Sequence, residues 1–428
     1  MATISGASGS GTINALQDPL HQHYIVAGDG QQTVILGNLN DTVIAGSGSM
    51  SVQGGTGSDV IRAGSGQMHV DAGGGNNNVI LGSGNLYVSA GSGNDSISLG
   101  SGQSVVNAGD GNNVLSGGSG NASISAGSGN DQVHLGDGQA WLALGDGSNQ
   151  AWLGSGNASI SGGSGDDVIH AGSGQAVLLL GEGNNQAWLG DGGATIQAGG
   201  GADQLHAGNG QHSVDSGAGN DSVILGDGGS TVLAGTGDDQ VSTGNGQSWL
   251  DGGAGNDTLA AGNGGATLMG GGGNDALRAG AGQALLDGGE GQDTLLGGDG
   301  QGSLLGGAGD DLIQGGHING LLQGGDGQDT IWASSGAATL AGGAGGDSFH
   351  FGSGSGYEVI ADFAVGQDTV WIQSGINGLA VSSVADLSSH VFAGWNGVMI
   401  SLGQTTITLQ GISLSDVQAH PDHYFKLF

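Results

Sequence analysis

The sequence has no cysteine, two prolines and three basic residues, Arg62, Arg278 and Lys426, in 428 positions. Without cysteine there is no disulfide staple, and the redox compartment stays unread. Against 38 acidic residues, three cations leave a formal net charge of −35. Nothing is available to neutralise phosphates, which excludes nucleic acid as a partner. The same imbalance excludes adhesion to an anionic membrane surface. Aromatics are scarce at 4 %. High acidity with few aromatics ordinarily means disorder; the alternative is that metal cations complete the fold. No apolar run reaches the roughly 18 residues of a membrane span, so no transmembrane segment is predicted. The stretch Met1-Ala2-Thr3-Ile4-Ser5 lacks the basic and apolar regions of an N-terminal signal peptide, and none is predicted.

Glycine is abundant, at 102 residues, and it is ordered in sequence. From Gly28 to Phe351 the chain keeps one unbroken nine-residue register. Each unit reads G-x-G-x-x-x-U-x-a, with U aliphatic and a small. Position 1 departs from glycine only at Ser334, and position 3 only at Leu39 and Ile318. Position 7 is Val, Ile or Leu except at Ala151, Ala187 and Phe349. A flexible glycine-rich linker would not hold register this long. The unit is one tight turn, where glycine permits positive φ, plus one short strand. Positions 7 and 9 share parity and are predicted to face inward, with 6 and 8 outward. No unit can bury its face alone, so the units must stack.

Alternate units differ at position 5. One set carries an acid or amide: Asp41, Asp59, Asn77, Asp95, Asn113, Asp131, Asn149, Asp167, Asn185, Asp203, Asp221, Asp239, Asp257, Asp275, Asp293, Asp311, Asp329 and Asp347, at a constant spacing of two units. The other set carries residues such as Met68, Leu86, Ser104 and Ala140. One coil is therefore two units, with two sheets and two turn edges. Stacked carboxylates about 5 Å apart repel unless a cation lies between them.

Units such as Gly91-Ser92-Gly93-Asn94-Asp95-Ser96-Ile97 and Gly253-Ala254-Gly255-Asn256-Asp257-Thr258-Leu259 resemble the RTX (repeats-in-toxin) nonapeptide G-G-x-G-x-D-x-U-x. The resemblance implies an all-β, right-handed parallel β-roll, or β-solenoid, with Ca²⁺ as its cofactor. It implies that each turn supplies carbonyls and its position-5 side chain, and that the turn one coil away completes the shell of six to eight oxygens. Only one edge carries Asp at position 5, so one row of calcium ions is predicted. Gln67, Gln103, Gln139, Gln175, Gln211, Gln247 and Gln283 on the other edge read as a polar ladder closing metal-free turns. Asn at 77, 113, 149 and 185 offers an oxygen without charge, which predicts weaker sites there. The all-Asp run from Asp203 to Asp347 should bind most tightly.

Three regions follow: an N-terminal cap at 1–27, the roll at 28–351 and a C-terminal capping region at 352–428. The segment from Glu358 to Ile372 resembles the one that follows RTX repeats in serralysin-type secreted proteins, which extends the ligand set to Asp362 and Asp368. The terminal Tyr424-Phe425-Lys426-Leu427-Phe428 is similar to a type I secretion signal, and a hydrophobic cap is the plainer reading. The resemblance then implies export through type I machinery while calcium is low, with folding outside the cell or at its surface.

No H-E-x-x-H, no G-x-S-x-G and no cysteine nucleophile is present, so the chain is read as no enzyme. His21 and His23 read as cap residues. An outward stripe at position 8, His134, Trp152, His170, Trp188 and His206, with Trp332 and His350 further on, is a candidate ligand-binding face. Cross-strand packing of the rings is its bland reading. Position 2 of the Asp turns varies (Thr56, Ser92, Ala218, Glu290), which counts against a regular ice-binding threonine ladder. The reading favoured is a secreted, self-assembling surface or matrix protein of the S-layer or biofilm type. The alternatives are a polysaccharide- or ice-binding module and an accessory to a separately encoded enzyme.

Overall fold

The computed structural model describes residues 2–5 and 9–428. It comprises two compact units, Met1–Ser216 and Gly217–Phe428. Each is a parallel β-solenoid in which one coil is two of the nine-residue repeats. In the first unit one ladder takes His23–Ala27, Thr42–Ala45, Val60–Ala63 and Asn78–Leu81 and continues to Gln204–Ala207. Its pairs follow the spacing of the Asp-bearing repeats: Val43 faces Ile61, and Ile61 faces Val79. The second ladder, from Gln32–Ile35 to His212–Asp215, keeps the same step, with Val52 opposite Val70.

The stretch before Gly28 is more than a lid. Ala2–Ser5 pairs with His23–Ala27, and Gly11–Asn14 with Gln32–Ile35. Both pairs are parallel, so this stretch adds a strand to each ladder. Its step, Ala2 to His23 and Gly11 to Gln32, is longer than that of the repeats. The break in spacing hid that coil from a nine-residue pattern.

In the second unit the ladders run from Ser222–Leu225 and Ser230–Thr236. They end differently. Ser348–Phe351 pairs with Thr369–Ile372, which in turn pairs with Phe425–Leu427. Tyr357–Ile360 pairs with Thr405–Gln410, which turns antiparallel onto Gly397–Leu402 and then Val391–Gly394. The change of direction ends the parallel stack and covers its last coil.

The interior follows strand parity. Position 7 is buried throughout, as at Ile61, Leu142, Leu250 and Phe349. Position 5 shares that parity and is also inward, which the sequence reading assigned only to 7 and 9. Met50, Met68, Leu86, Ala122 and Ala140 fill it beneath one edge, and the Asp and Asn residues fill it beneath the other.

Glycine serves different needs at the two edges. At the Asp edge Gly91 and Gly93 adopt φ of 91° and 121°, where a side chain is strained. At the opposite edge Gly100 and Gly102 have ordinary φ, but a Cβ on Gly102 would overlap the Gly84 carbonyl one coil away. Close stacking, rather than turn conformation, requires glycine there. The exception Ser334 also has a local reason: its hydroxyl donates to Glu358 Oε1 at 3.0 Å inside the C-terminal cap.

Gly102→Ala is therefore predicted to destabilise the folded chain by about 1–3 kcal/mol through overpacking. Gln103→Ala, at the exposed neighbour, should change stability by less than about 0.5 kcal/mol. Thermal unfolding of both variants followed by circular dichroism checks the contrast.

Candidate metal centre

The position-5 column is built by the turn before it and the strand after it. Its Asp and Asn residues from Asp41 to Asp347 are at most 2 % exposed. In the first unit each backbone N–H donates to Oδ1 of the equivalent residue in the next coil. The bonds run from Asp41 to Asp59 at 2.7 Å, Asn77 to Asp95 at 2.7 Å and Asn113 to Asp131 at 2.7 Å, as far as Asn185 to Asp203. The second unit repeats this from Asp221–Asp239 at 2.8 Å to Asp329–Asp347 at 3.0 Å. A second ladder runs the other way at position 4, where Asn94 N–H donates to Asn76 Oδ1 at 2.7 Å.

One carboxylate oxygen is thus spoken for. The other, Oδ2, is buried without a hydrogen-bond partner at Asp95, Asp131 and Asp167, and at Asp239, Asp257, Asp275, Asp293, Asp311, Asp329 and Asp347. It faces oxygen: a Cβ built on Gly252 would meet both Asp257 Oδ2 and the Gly270 carbonyl, and Gly162 meets Asp167 Oδ2 and the Leu180 carbonyl in the same way. A buried anionic oxygen turned toward carbonyl oxygens is costly unless a cation joins them. Among the described residues no three of His, Asp and Glu converge, so backbone carbonyls must complete any coordination shell. Hard oxygen donors of this kind suit Ca²⁺, and its charge would offset the buried carboxylates.

The start of the first unit's column and the finish of the second unit's differ from the rest. Asp41 Oδ1 accepts from the backbone N–H and Nδ1 of His23, at 2.6 and 3.1 Å, and Oδ2 lies 3.4 Å from the Gly37 N–H. His23 is buried and occupies the column's position in the coil before Asp41; His21 instead pairs with Asp18 at the surface. Asp368 accepts from the N–H of Asp347 and of Ala364, at 3.0 and 2.7 Å. Asp362 accepts from the N–H of Gly342 and Gly343 at 3.0 Å each. Both oxygens of Asp362 and of Asp368 thus accept backbone N–H groups.

The amides behave differently from the carboxylates. Asn113 Nδ2 donates to the carbonyls of Gly109, Gly111 and Ala126, at 3.1, 3.1 and 3.2 Å. Asn77, Asn149 and Asn185 make two such bonds each. On the opposite edge Gln67, Gln103 and Gln139 point to solvent. Position-2 side chains make much of the ladder expected of the glutamines: Ser83 Oγ accepts from Ser101 N–H at 3.0 Å, and Asp137 Oδ1 from Ser155 N–H at 2.9 Å.

The position-8 stripe forms a stack. His134, Trp152, His170, Trp188 and His206 lie with ring centroids 4.3, 6.1, 4.6 and 6.0 Å apart and planes within 13° of parallel. Both faces of the three inner rings are covered by neighbours. The geometry is that of cross-strand packing, and it leaves those faces unable to stack on a sugar. In the second unit Trp332, His350 and Trp371 stack likewise, and Phe428 packs against the first two. The sequence reading missed a different feature. On the other sheet Tyr87 and Trp141, three coils apart and about half exposed, border a shallow trough of about 720 Å³ floored by Val105, Ser123 and Ala143. Their shared outward position 6 was the available signal.

Burial pushes the Asp column up from 3.8, to about 7 at Asp59, Asp239 and Asp311 and about 6 at Asp95, Asp131, Asp167, Asp275 and Asp329. Neighbouring carboxylates add to the rise in the second unit, and backbone N–H donors oppose it. Folded values above the unfolded one mean that, without a cation, the column's contribution is fully present below about pH 4 and is lost as pH rises through 6–7. In chelator, circular dichroism should therefore report more β-structure at pH 4 than at pH 8, and added calcium should remove the difference.

The model of the RTX calcium-binding nonapeptide repeat matches over residues 35–142, 144–304 and 321–357, in overlapping windows of four copies. Among solved structures, the extracellular lipase LipA from Serratia marcescens is similar at 16 % identity with a TM-score of 0.18. That match takes in 48 % of this chain and 44 % of the lipase chain, so this chain spans less than half of its length. No curated protein matches. The repeat model takes in well over half of the chain, and its aspartate is the one that forms the buried column: the chain belongs to the RTX calcium-binding nonapeptide repeat family.

Proposed function

We propose that this calcium-binding β-roll is a secreted, non-enzymatic protein that folds when it meets calcium outside the cell and assembles there into a surface or matrix layer. The observation that carries the calcium-coupled part is the buried column of half-satisfied carboxylates. A chain that cannot stack these groups without a cation stays open in a calcium-poor cytosol, in the form type I export requires. The C-terminal tail fits both stages. Folded, Phe425–Leu427 pairs with Thr369–Ile372 and Phe425 is buried; unfolded, the same residues form an accessible apolar segment.

Support for assembly comes from the sheet faces. Val105, Val177 and Leu179 in the first unit, and Ile224, Leu233 and Leu285 in the second, are 40–47 % exposed at outward positions. Repeated apolar side chains on strand faces favour burial against further protein. No helix among the described residues is long and apolar enough to cross a membrane.

A second reading, glycan binding, is favoured by one observation, the Tyr87–Trp141 trough, whose exposed rings can receive a sugar face.

Calcium titration followed by circular dichroism and then light scattering tests the main reading. Large particles should form once β-structure appears, and Val177→Ser/Leu179→Ser should reduce them while leaving the β-signal unchanged. A calcium-folded monomer at all concentrations would overturn the assembly role. Weaker glycan retention by Trp141→Ala, with folding intact, would then favour the second reading.

A further inference from the structure

The asparagines at position 5 carry an inference that the family's repeat pattern does not contain. Four of them, Asn77, Asn113, Asn149 and Asn185, alternate with aspartates in the first unit, while the second unit has aspartate in every coil. Asn113 shows what the amide does. Its Oδ1 accepts from the Asp95 N–H at 2.9 Å, the ladder bond that recurs along the column. This bond fixes the amide orientation, because a flipped Asn113 would set two N–H groups against each other. The amide nitrogen therefore stands where an aspartate has Oδ2.

From there Nδ2 donates to the two glycine carbonyls of its own turn, Gly109 and Gly111, and to that of Ala126 in the next coil. The carbonyl equivalent to Ala126 is also the one that faces Oδ2 at the aspartate turns, Leu180 for Asp167 and Gly270 for Asp257. The same carbonyls thus see a hydrogen-bond donor at asparagine and a lone carboxylate oxygen at aspartate. At Asn77 and Asn113 the amide N–H groups bridge the two coils as a cation would, and at Asn149 and Asn185 they close the carbonyls of their own turn. The amide also leaves no oxygen aimed at the site and repels an incoming cation.

We infer that the asparagines are built-in replacements for calcium, so that in the first unit ions bind at the aspartate turns only and the asparagine turns are closed by their own amides. These positions are accordingly closed turns rather than weak calcium sites. The inference rests on the calcium reading of the aspartate column. It assigns the alternation of Asn and Asp coils a role: halving the ions that this stretch of the first unit needs, while the second needs one at each aspartate coil.

The test is the number of calcium ions bound per full-length chain, measured by equilibrium dialysis at saturating calcium, with circular dichroism of the same samples. Asn113→Asp/Asn149→Asp should gain two ions and lose β-structure in chelator relative to the parent. Asp131→Asn/Asp167→Asn should lose two ions, keep its β-structure in calcium and retain more of it in chelator. Unchanged counts in either pair, on a parent that binds calcium, overturn the inference. So does failure of the first pair to fold in saturating calcium, because the added ions should offset the added charge. If the parent binds no calcium and Asp257→Ala changes nothing, the calcium reading itself has failed.

Discussion

The fold depends on how one buried side chain per coil is satisfied on both of its sides. At position 5 one oxygen receives a backbone N–H from the preceding coil, and the other atom faces carbonyls of its own turn and of the next. The first contact is a hydrogen bond available to Asp and Asn alike. The second decides the chemistry. Carbonyls present negative charge, so they accept an amide N–H or share a cation with a carboxylate, and they tolerate a bare anion poorly. The glycine turns follow from this, since Gly109 and Gly111, with φ of 85° and 122°, aim their carbonyls at the column. Hydrophobic packing supplies the bulk of cohesion, through residues such as Ile61 and Leu250, but it is nondirectional and does not select which turn lies on which edge.

Much of this was legible in the sequence because the repeat is local. A nine-residue register gives the coil, strand parity gives the inward aliphatics, and Asp or Asn at position 5 of every second unit marks out one edge. What was missed required contacts between coils. Asn113 reads as a poorer Asp until its Oδ1 is seen to be committed to Asp95, which leaves only the nitrogen for the site. Gly102 reads as a turn glycine until the Gly84 carbonyl is placed against it. For Trp152 and Trp188 the sequence leaves packing and ligand binding both open, and His170 lying parallel between them decides for packing. The N-terminal coil was hidden for a simpler reason: its step, from Ala2 to His23, is longer than the one the repeats keep.

The two ends of the column use the same principle with different groups. At the N-terminal end the His23 N–H makes the ladder bond to Asp41 Oδ1, and the His23 ring adds a contact to the same oxygen. In the C-terminal cap Asp368 receives two backbone N–H groups, and the antiparallel strands Val391–Gly394 and Gly397–Leu402 replace parallel stacking. Each end keeps the intercoil bond and adds a further contact to the same carboxylate. The aromatic stacks do for the sheet faces what the ladders do for the edges, since each ring covers the next.

The constant two-unit step has an evolutionary consequence. A duplication or loss of one whole coil leaves every N–H opposite an acceptor, every aliphatic inward and each edge unchanged. A slip of a single nine-residue unit exchanges the edges and sets an aspartate over Ala or Met in the neighbouring coil. Length in such a chain can drift freely by whole coils while composition at each position stays fixed, so its genes would vary by repeat number before they vary by residue.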